Sequence, residues 1–255
     1  MSMSTQPLTG KKVLLTGALG SLGRAQATAL VMAGAALVLL DRPEAAQGQE
    51  FAAGLAKQFG TKVDYIGQDL NDLEASLRRI EALVSEHGPI DILINNAALI
   101  VNKPFDDFSM PEFEDQMRVN AAAAFAMVKA VAPGMKTKNY GKIVNFCSLT
   151  LNGRWSGFVP YTATKGAVWG LTKTLARELG KAGIRVNAVS PGAVVSDAEA
   201  RVFGNQAQEY HDWIIENQSL KHRIEPEHVA ELVMFLVSPA SDMITGQVFN
   251  IDGGW

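Results

Sequence analysis

The chain has 255 residues, 47% of them hydrophobic and 19% charged, with a net charge of −3. This is the composition of a soluble globular protein able to bury a large core. No basic tract with interleaved aromatics suits nucleic acid, no apolar run approaches the ~20 residues of a membrane span, and the opening MSMSTQPLTG lacks the basic start and apolar core of a signal peptide.

Along the chain, short apolar runs alternate with longer amphipathic stretches. Residues 12–16, 36–41, 62–67, 90–95, 142–148, 184–190 and 246–252 read as strands, hydrophobic almost throughout, as strands covered on both faces are. Between them, 21–33, 43–59, 71–87, 110–136, 160–182, 197–219 and 226–237 read as helices. Ser109 is placed to cap one with Pro111 in its first turn, and Pro226 and Pro239 bracket the last. Regular alternation predicts right-handed βαβ units. The fold class is therefore α/β: one Rossmann-type, doubly wound parallel sheet of about seven strands, helices on both faces, in a single domain over 1–255. The single cysteine, Cys147, excludes an internal disulfide and reads as a small core residue. His87, His211, His222 and His228 form no ligand cluster with it, so no metal is expected. A reducing cytoplasm fits.

Ligands of open α/β sheets lie beyond the carboxyl ends of the strands. The first strand runs into TGALGSLG, with Gly17, Gly20 and Gly23. Glycines there let backbone approach a pyrophosphate, and the helix starting near Ser21 turns its free N–H groups toward it. The second strand ends in Asp41, 18 residues past Gly23. A carboxylate there accepts the ribose hydroxyls of an adenosine and repels a 2′-phosphate, favouring NAD over NADP; Arg42 beside it is the residue that would reverse this preference. Asp69 after the third strand is placed to bond an adenine amino group, and Asn71 or Asp72 to cap the next helix. The fourth strand gives NNAA at 95–98, amides and small residues suited to a cofactor channel. The fifth ends at Ser148; thirteen residues on come Tyr161 and, at i+4 on the same helical face, Lys165. A tyrosine ordinarily titrates near ~10, and an adjacent ammonium lowers that value toward use as an acid or base near neutrality.

Together these residues resemble the short-chain dehydrogenase/reductase family over nearly the whole chain. The likeness rests on the 17–23 turn, Asp69, Asn95-Asn96-Ala97, Asn120, Ser148, Tyr161, Lys165, Pro191-Gly192 and the final ITGQVFNIDGGW. It implies hydride transfer between a nicotinamide and a carbinol or carbonyl carbon. Tyr161 would be the acid/base, Ser148 would hold the substrate oxygen, and Lys165 would bind the nicotinamide ribose and lower the Tyr161 pKa. Asn120 would hold a water relaying protons to Lys165. Cofactor contacts would come from Gly17, Gly20, Ser21, Leu22, Gly23, Asp41, Arg42, Asp69, Leu70, Asn96, Ala97, Tyr161, Lys165, Pro191, Gly192, Val194 and Ser196. Two departures stand out. Short members read Thr-Gly-x-x-x-Gly-x-Gly, whereas Ser21 occupies the middle glycine's place here, with Gly20 one earlier, as in the longer epimerase-like branch. Ala98 replaces a glycine. The chain length, the Asn-Asn pair and the Ser148–Tyr161 spacing favour the short type. Ser21 is expected to cap the first helix or bind a phosphate oxygen, with Gly20 taking the tight backbone step.

The substrate pocket is expected from Leu99, Ile100, Ser148, Thr150, Asn152, Arg154, Trp155, Phe158 and Tyr161, under a lid at about 196–222 carrying Phe203, Tyr210, Trp213 and Ile214. Arg154 is the residue that would meet a carboxylate. The mixture suggests a partly polar cyclic alcohol or ketone. NAD preference favours oxidation of a sugar, polyol or ring alcohol; a 3-oxoacyl-thioester reductase and a non-catalytic dinucleotide-binding sensor or scaffold are the alternatives. The resemblance further implies a homotetramer joined through the long fourth and fifth helices and the C-terminal strand.

Overall fold

The computed structural model describes residues 6–43 and 47–255; residues 1–5, where a leader would begin, and 44–46, inside the second expected helix, lie outside the described residues. The strands are β1 (Lys12–Thr16), β2 (Ala36–Asp41), β3 (Val63–Gly67), β4 (Ile92–Asn95), β5 (Gly141–Phe146), β6 (Ile184–Pro191) and β7 (Val248–Ile251). They form one sheet in the order β3-β2-β1-β4-β5-β6-β7, with every pair parallel. The order reverses between β1 and β4, which leaves a crevice beyond their carboxyl ends. Register sets those ends level: Thr16 pairs with Asn95, and Asn95 with Asn145.

The helices are α1 (Ser21–Met32), α2 (Gln47–Phe59), α3 (Leu73–His87), α4 (Met110–Met117), α5 (Ala123–Lys138), α6 (Val159–Leu179), α7 (Asp197–Phe203), α8 (Ala207–Asn217) and α9 (Pro226–Val237). They cover both faces of the sheet. Along β1, Val13 and Leu15 join the core shared with Leu30, Val233 and Leu236 of α1 and α9, while Leu14 points into the opposite core with Ile80, Met127 and Val131 of α3 and α5. That alternation between two buried faces is why the strands read as unbroken apolar runs.

Two expected helices are divided. The stretch 110–136 becomes α4, a π-helical turn at Arg118–Ala122 and α5, with Asn120 inside the wide turn. Such turns gather at functional sites because they displace one residue from the regular ladder. The stretch 197–219 becomes α7, a 3₁₀ turn at Gly204–Gln206 and α8. Gly204 and Asn205 are weak helix formers, and the turn lets Phe203 stack on Tyr210 with ring centroids 3.7 Å apart. β5 stops at Phe146 rather than Ser148, because Ser148 caps the 3₁₀ turn Leu149–Asn152. Ser109 caps α4 with a reciprocal Glu112 contact, and Asp72 caps α3 through the Ala75 N–H.

Leu93 of β4 is fully buried against helices of this second core. Leu93→Ala is expected to cost about 2–5 kcal/mol through lost burial and a residual cavity, read as a lower urea midpoint with an unchanged slope.

Candidate active site

The glycine turn is built by close approach. Gly17 has φ +65°, and a Cβ there would lie 2.7 Å from the Ala97 Cα. A Cβ on Gly23 would lie 2.2 Å from the Gly17 carbonyl oxygen. The turn after β4 grips it: Thr16 Oγ1 accepts from the Asn96 and Ala97 N–H groups, both at 3.1 Å, and Asn96 Nδ2 donates to the carbonyls of Thr16 (3.1 Å) and Gly17 (2.9 Å). Asp41 closes the other side, accepting from the Leu19 N–H at 2.8 Å and the Arg42 N–H at 2.8 Å. Arg24 Nε donates to the Leu19 carbonyl at 2.9 Å.

At the ends of β5 and α6, Ser148, Tyr161 and Lys165 meet on one wall. The Tyr161 hydroxyl faces that of Ser148, whose presence draws its pKa down. Ser148 Oγ accepts from Thr150 N at 3.2 Å and Thr150 Oγ1 at 3.1 Å. Lys165 Nζ donates to the Phe146 carbonyl at 2.8 Å and lies 5.3 Å from the Tyr161 ring centroid. Asn120 fastens two segments: it exchanges hydrogen bonds with the Leu99 backbone (2.6 and 2.9 Å) and donates to Thr164 Oγ1 at 3.1 Å. Thr164 in turn donates to the Tyr161 carbonyl at 2.6 Å.

These groups open into a cavity of about 190 Å³ that runs from Leu22 and Asn96, past Ser148, Tyr161 and Lys165, to Pro191, Gly192, Val194 and Ser196. Ser148, Tyr161 and the buried Lys165 thus share one cavity, which reaches Leu22 at the edge of the glycine turn. A family model described as enoyl-(acyl carrier protein) reductase matches residues 17–255. Gluconate 5-dehydrogenase of Gluconobacter oxydans is 35% identical over 247 residues, 97% of this chain and 95% of that protein. D-xylose 1-dehydrogenase of Caulobacter vibrioides is 33% identical over the full length of both chains. A crystal structure of a gluconate 5-dehydrogenase from Burkholderia cenocepacia in complex with NADP and tartrate superposes with a TM-score of 0.88 at 31% identity, covering 98% of this chain and 96% of that one. The chain belongs to the short-chain dehydrogenase/reductase family.

The family's dinucleotide fits the turn. α1 has no side-chain cap and no acidic residue in its first turn, so its N-terminus keeps its donors and dipole for an anion. Gly20 leaves the required space, since a Cβ there would meet nothing closer than 3.8 Å. The internal chemistry of the turn corrects two expectations. The tight left-handed step belongs to Gly17, whereas Gly20 has an ordinary extended backbone at φ −71°. Ser21 does not cap α1. Its hydroxyl bonds across to the 196–222 segment, 3.0 Å from Asp197 Oδ2 and 3.0 Å from the Asp197 N–H, tying the turn to the start of α7.

Other expected residues fall in several places. Ile100, Thr150, Trp155 and Phe158 line the cavity; Leu99 does not, and its side chain is exposed. Asn152 is corrected: it is exposed, and its side chain turns back to the Arg154 N–H at 3.0 Å. Asp69 accepts from the Asn71 N–H at 2.9 Å, shaping its own turn, and Leu70 and Ala97 border a small neighbouring pocket with Asn120. Ser196 caps α7 through the Glu199 N–H at 3.2 Å. Arg42 is exposed. Cys147 lines the cavity as a neutral thiol, its pKa pushed up by burial to about 11.

The lysine expectation is also corrected. Burial is the largest influence on Tyr161 and raises its pKa to about 12, with Ser148 pulling back; it likewise lowers Lys165 to about 8. The ammonium bonds the Phe146 carbonyl and lies over the Tyr161 ring, with no hydrogen bond to the phenolic oxygen. Sequence reasoning missed Glu199 as a wall residue, Arg223 as its partner and Thr164 as the link from Asn120. No local pattern announces them, because each acts across 24 to 44 residues.

A buried lysine whose folded pKa lies below its unfolded value weakens folding most where it is charged in both states. The penalty is therefore full below about 8 and disappears above the ordinary 10.5. Lys165→Met is expected to raise stability at pH 7 by about 3 kcal/mol. Thermal melts compared at pH 7 and at higher pH should show this gain shrinking as pH rises from about 8 to 10.5.

Proposed function

We propose that this short-chain dehydrogenase/reductase interconverts a secondary alcohol and its ketone with NAD(H), acting on a sugar, polyol or cyclic alcohol. The convergence of Ser148, Tyr161 and the buried Lys165 on one wall of the shared cavity carries the reading. The bound nicotinamide would supply or accept the hydride. Gly17, Gly20, Leu22, Gly23, Asn96, Pro191, Gly192, Val194 and Ser196 would hold the dinucleotide. Ser148 would orient the substrate oxygen, and Tyr161 would exchange its proton. With a pKa near 12, Tyr161 carries that proton at neutral pH and is ready to donate it to a ketone. In the alcohol-oxidising direction the phenol must first lose it, and Lys165 is the one cation among the described residues lining the cavity that stands beside it. Positioning by Thr150, Asn120 and Thr164 supplies much of the rate.

The same reading favours NAD over NADP. Asp41 is held in place by two backbone N–H groups at the end of β2, where its charge opposes a 2′-phosphate. The relative solved with NADP points the other way, and Arg42 is the residue through which this chain would follow it. NAD use in turn favours the alcohol-oxidising direction, since cytosolic NAD is mostly oxidised. A homotetramer is supported by Phe125 of α5 and Trp169 of α6, large apolar side chains left about half exposed on the two long helices. No helix among the described residues is long and apolar enough to cross a membrane.

Tyr161→Phe is expected to lower kcat by about 10²–10⁴-fold with NADH binding, followed by fluorescence, unchanged; retained turnover would remove Tyr161 from the chemistry. Asp41→Ala is expected to narrow the NAD to NADP ratio of kcat/KM by about tenfold or more, measured with one substrate and both cofactors.

A further inference from the structure

The cavity has one carboxylate that the hydride-transfer chemistry does not use. Glu199 of α7 lines it, and Glu199 Oε2 accepts from Arg223 Nη2 at 2.5 Å. The pair is largely withdrawn from water: the Arg223 side chain is 9% exposed and that of Glu199 18%. Arg223 also lies 3.4 Å from the Ala193 carbonyl and 5.8 Å from the Tyr210 ring centroid, and its Nε is buried without a partner. Burial pushes the Glu199 pKa up and Arg223 pulls it back. The remaining oxygen, Oε1, takes no hydrogen bond among the described residues.

The wall around Glu199 is aromatic. Trp155, Phe158, Phe203 and Tyr210 line it, with Tyr210 stacked on Phe203 at an interplanar angle of 10°. Lys165 is the only cation in the lining among the described residues, and it is committed to the Phe146 carbonyl. A substrate carboxylate entering here finds no free cation, because the charge of Arg223 is matched by Glu199. It also meets the Glu199 carboxylate itself in a poorly solvated space, where like charges repel strongly. A ring with C–H faces fits aromatic walls, and a hydroxyl is the donor Glu199 lacks.

We propose that the substrate is a neutral ring-shaped alcohol or ketone bearing further hydroxyls, and that Glu199, held by Arg223, is the specificity residue that takes one hydroxyl and excludes carboxylates. This rests on the oxidoreductase reading above and narrows it: of the two chemistries named in the relatives, the neutral sugar suits this wall and the sugar acid does not.

The test compares kcat/KM of the wild-type enzyme for neutral rings (D-xylose, D-glucose, myo-inositol) and open-chain acids (D-gluconate, 5-keto-D-gluconate), with NAD(H) and NADP(H). Neutral rings are expected to be at least tenfold better. Glu199→Gln keeps the shape and leaves Arg223 as an unmatched cation, so the ratio of acid to neutral kcat/KM should rise at least tenfold. General damage would lower both and leave the ratio alone, so an unchanged ratio in a folded variant overturns the role of Glu199. If that variant does not fold, the wild-type comparison still decides: equal or better turnover of the acids overturns the proposal. Turnover of neither class, with NADH still bound, would overturn the oxidoreductase reading itself.

Discussion

The site depends on a missing atom. Gly17 turns left-handed at the end of β1 and brings its backbone against Ala97, so close that a Cβ would lie 2.7 Å from the Ala97 Cα. Only this contact lets Asn96 span both carbonyls of the turn while the Thr16 hydroxyl takes two N–H groups in return. β1 and β4 are neighbours solely because the strand order reverses between them. The crevice and the lock that shapes it therefore have one origin. Asn96 lines the cavity and also holds the turn in shape; Gln26 of α1 completes its bonding from 3.0 Å.

The chemical groups sit under a second constraint, which is desolvation. Water is withdrawn from Lys165 and Tyr161, and each moves toward its uncharged form. Ser148 and the Phe146 carbonyl are what this chain offers in compensation. A site so arranged is unfavourable to the resting fold and favourable to proton exchange with a bound oxygen, since the phenol is held protonated beside a cation of shifted affinity. The stability of the protein is then carried by the two apolar layers around the sheet, where Leu14, Leu15, Leu93 and Ile143 are fully buried.

These two constraints explain what the sequence disclosed. Two-sided burial leaves a period-independent apolar run, so every strand was legible, with some ends shifted by one or two residues, as where Ser148 leaves β5 to cap a turn. The Ser148, Tyr161 and Lys165 positions were legible because strand and helix geometry fixes their relation over short spans. What was not legible is long-range. The π-helical turn around Asn120 is set where Asn120 bonds the Leu99 backbone and Thr164, contacts that local propensity does not record. The direction of the Tyr161 shift depended on burial, which spacing alone does not weigh against a nearby charge. Asn152 fits the pattern of a pocket residue, yet a local turn claims its side chain.

Ser21 shows how one substitution in a motif is absorbed. A side chain at that position enters a turn shaped by glycines, and here it is accommodated by pointing across the crevice rather than along α1. Its hydroxyl meets both the N–H and the carboxylate of Asp197, the first residue of α7. The same short helix presents Glu199 to the cavity and Arg223, and Phe203 to Tyr210. α7 has no fully buried residue of its own, so its position is set by these three anchors rather than by a core. The turn that would hold the dinucleotide and the wall that would select the substrate are thus joined by a single serine hydroxyl. A glycine in that place offers no such link.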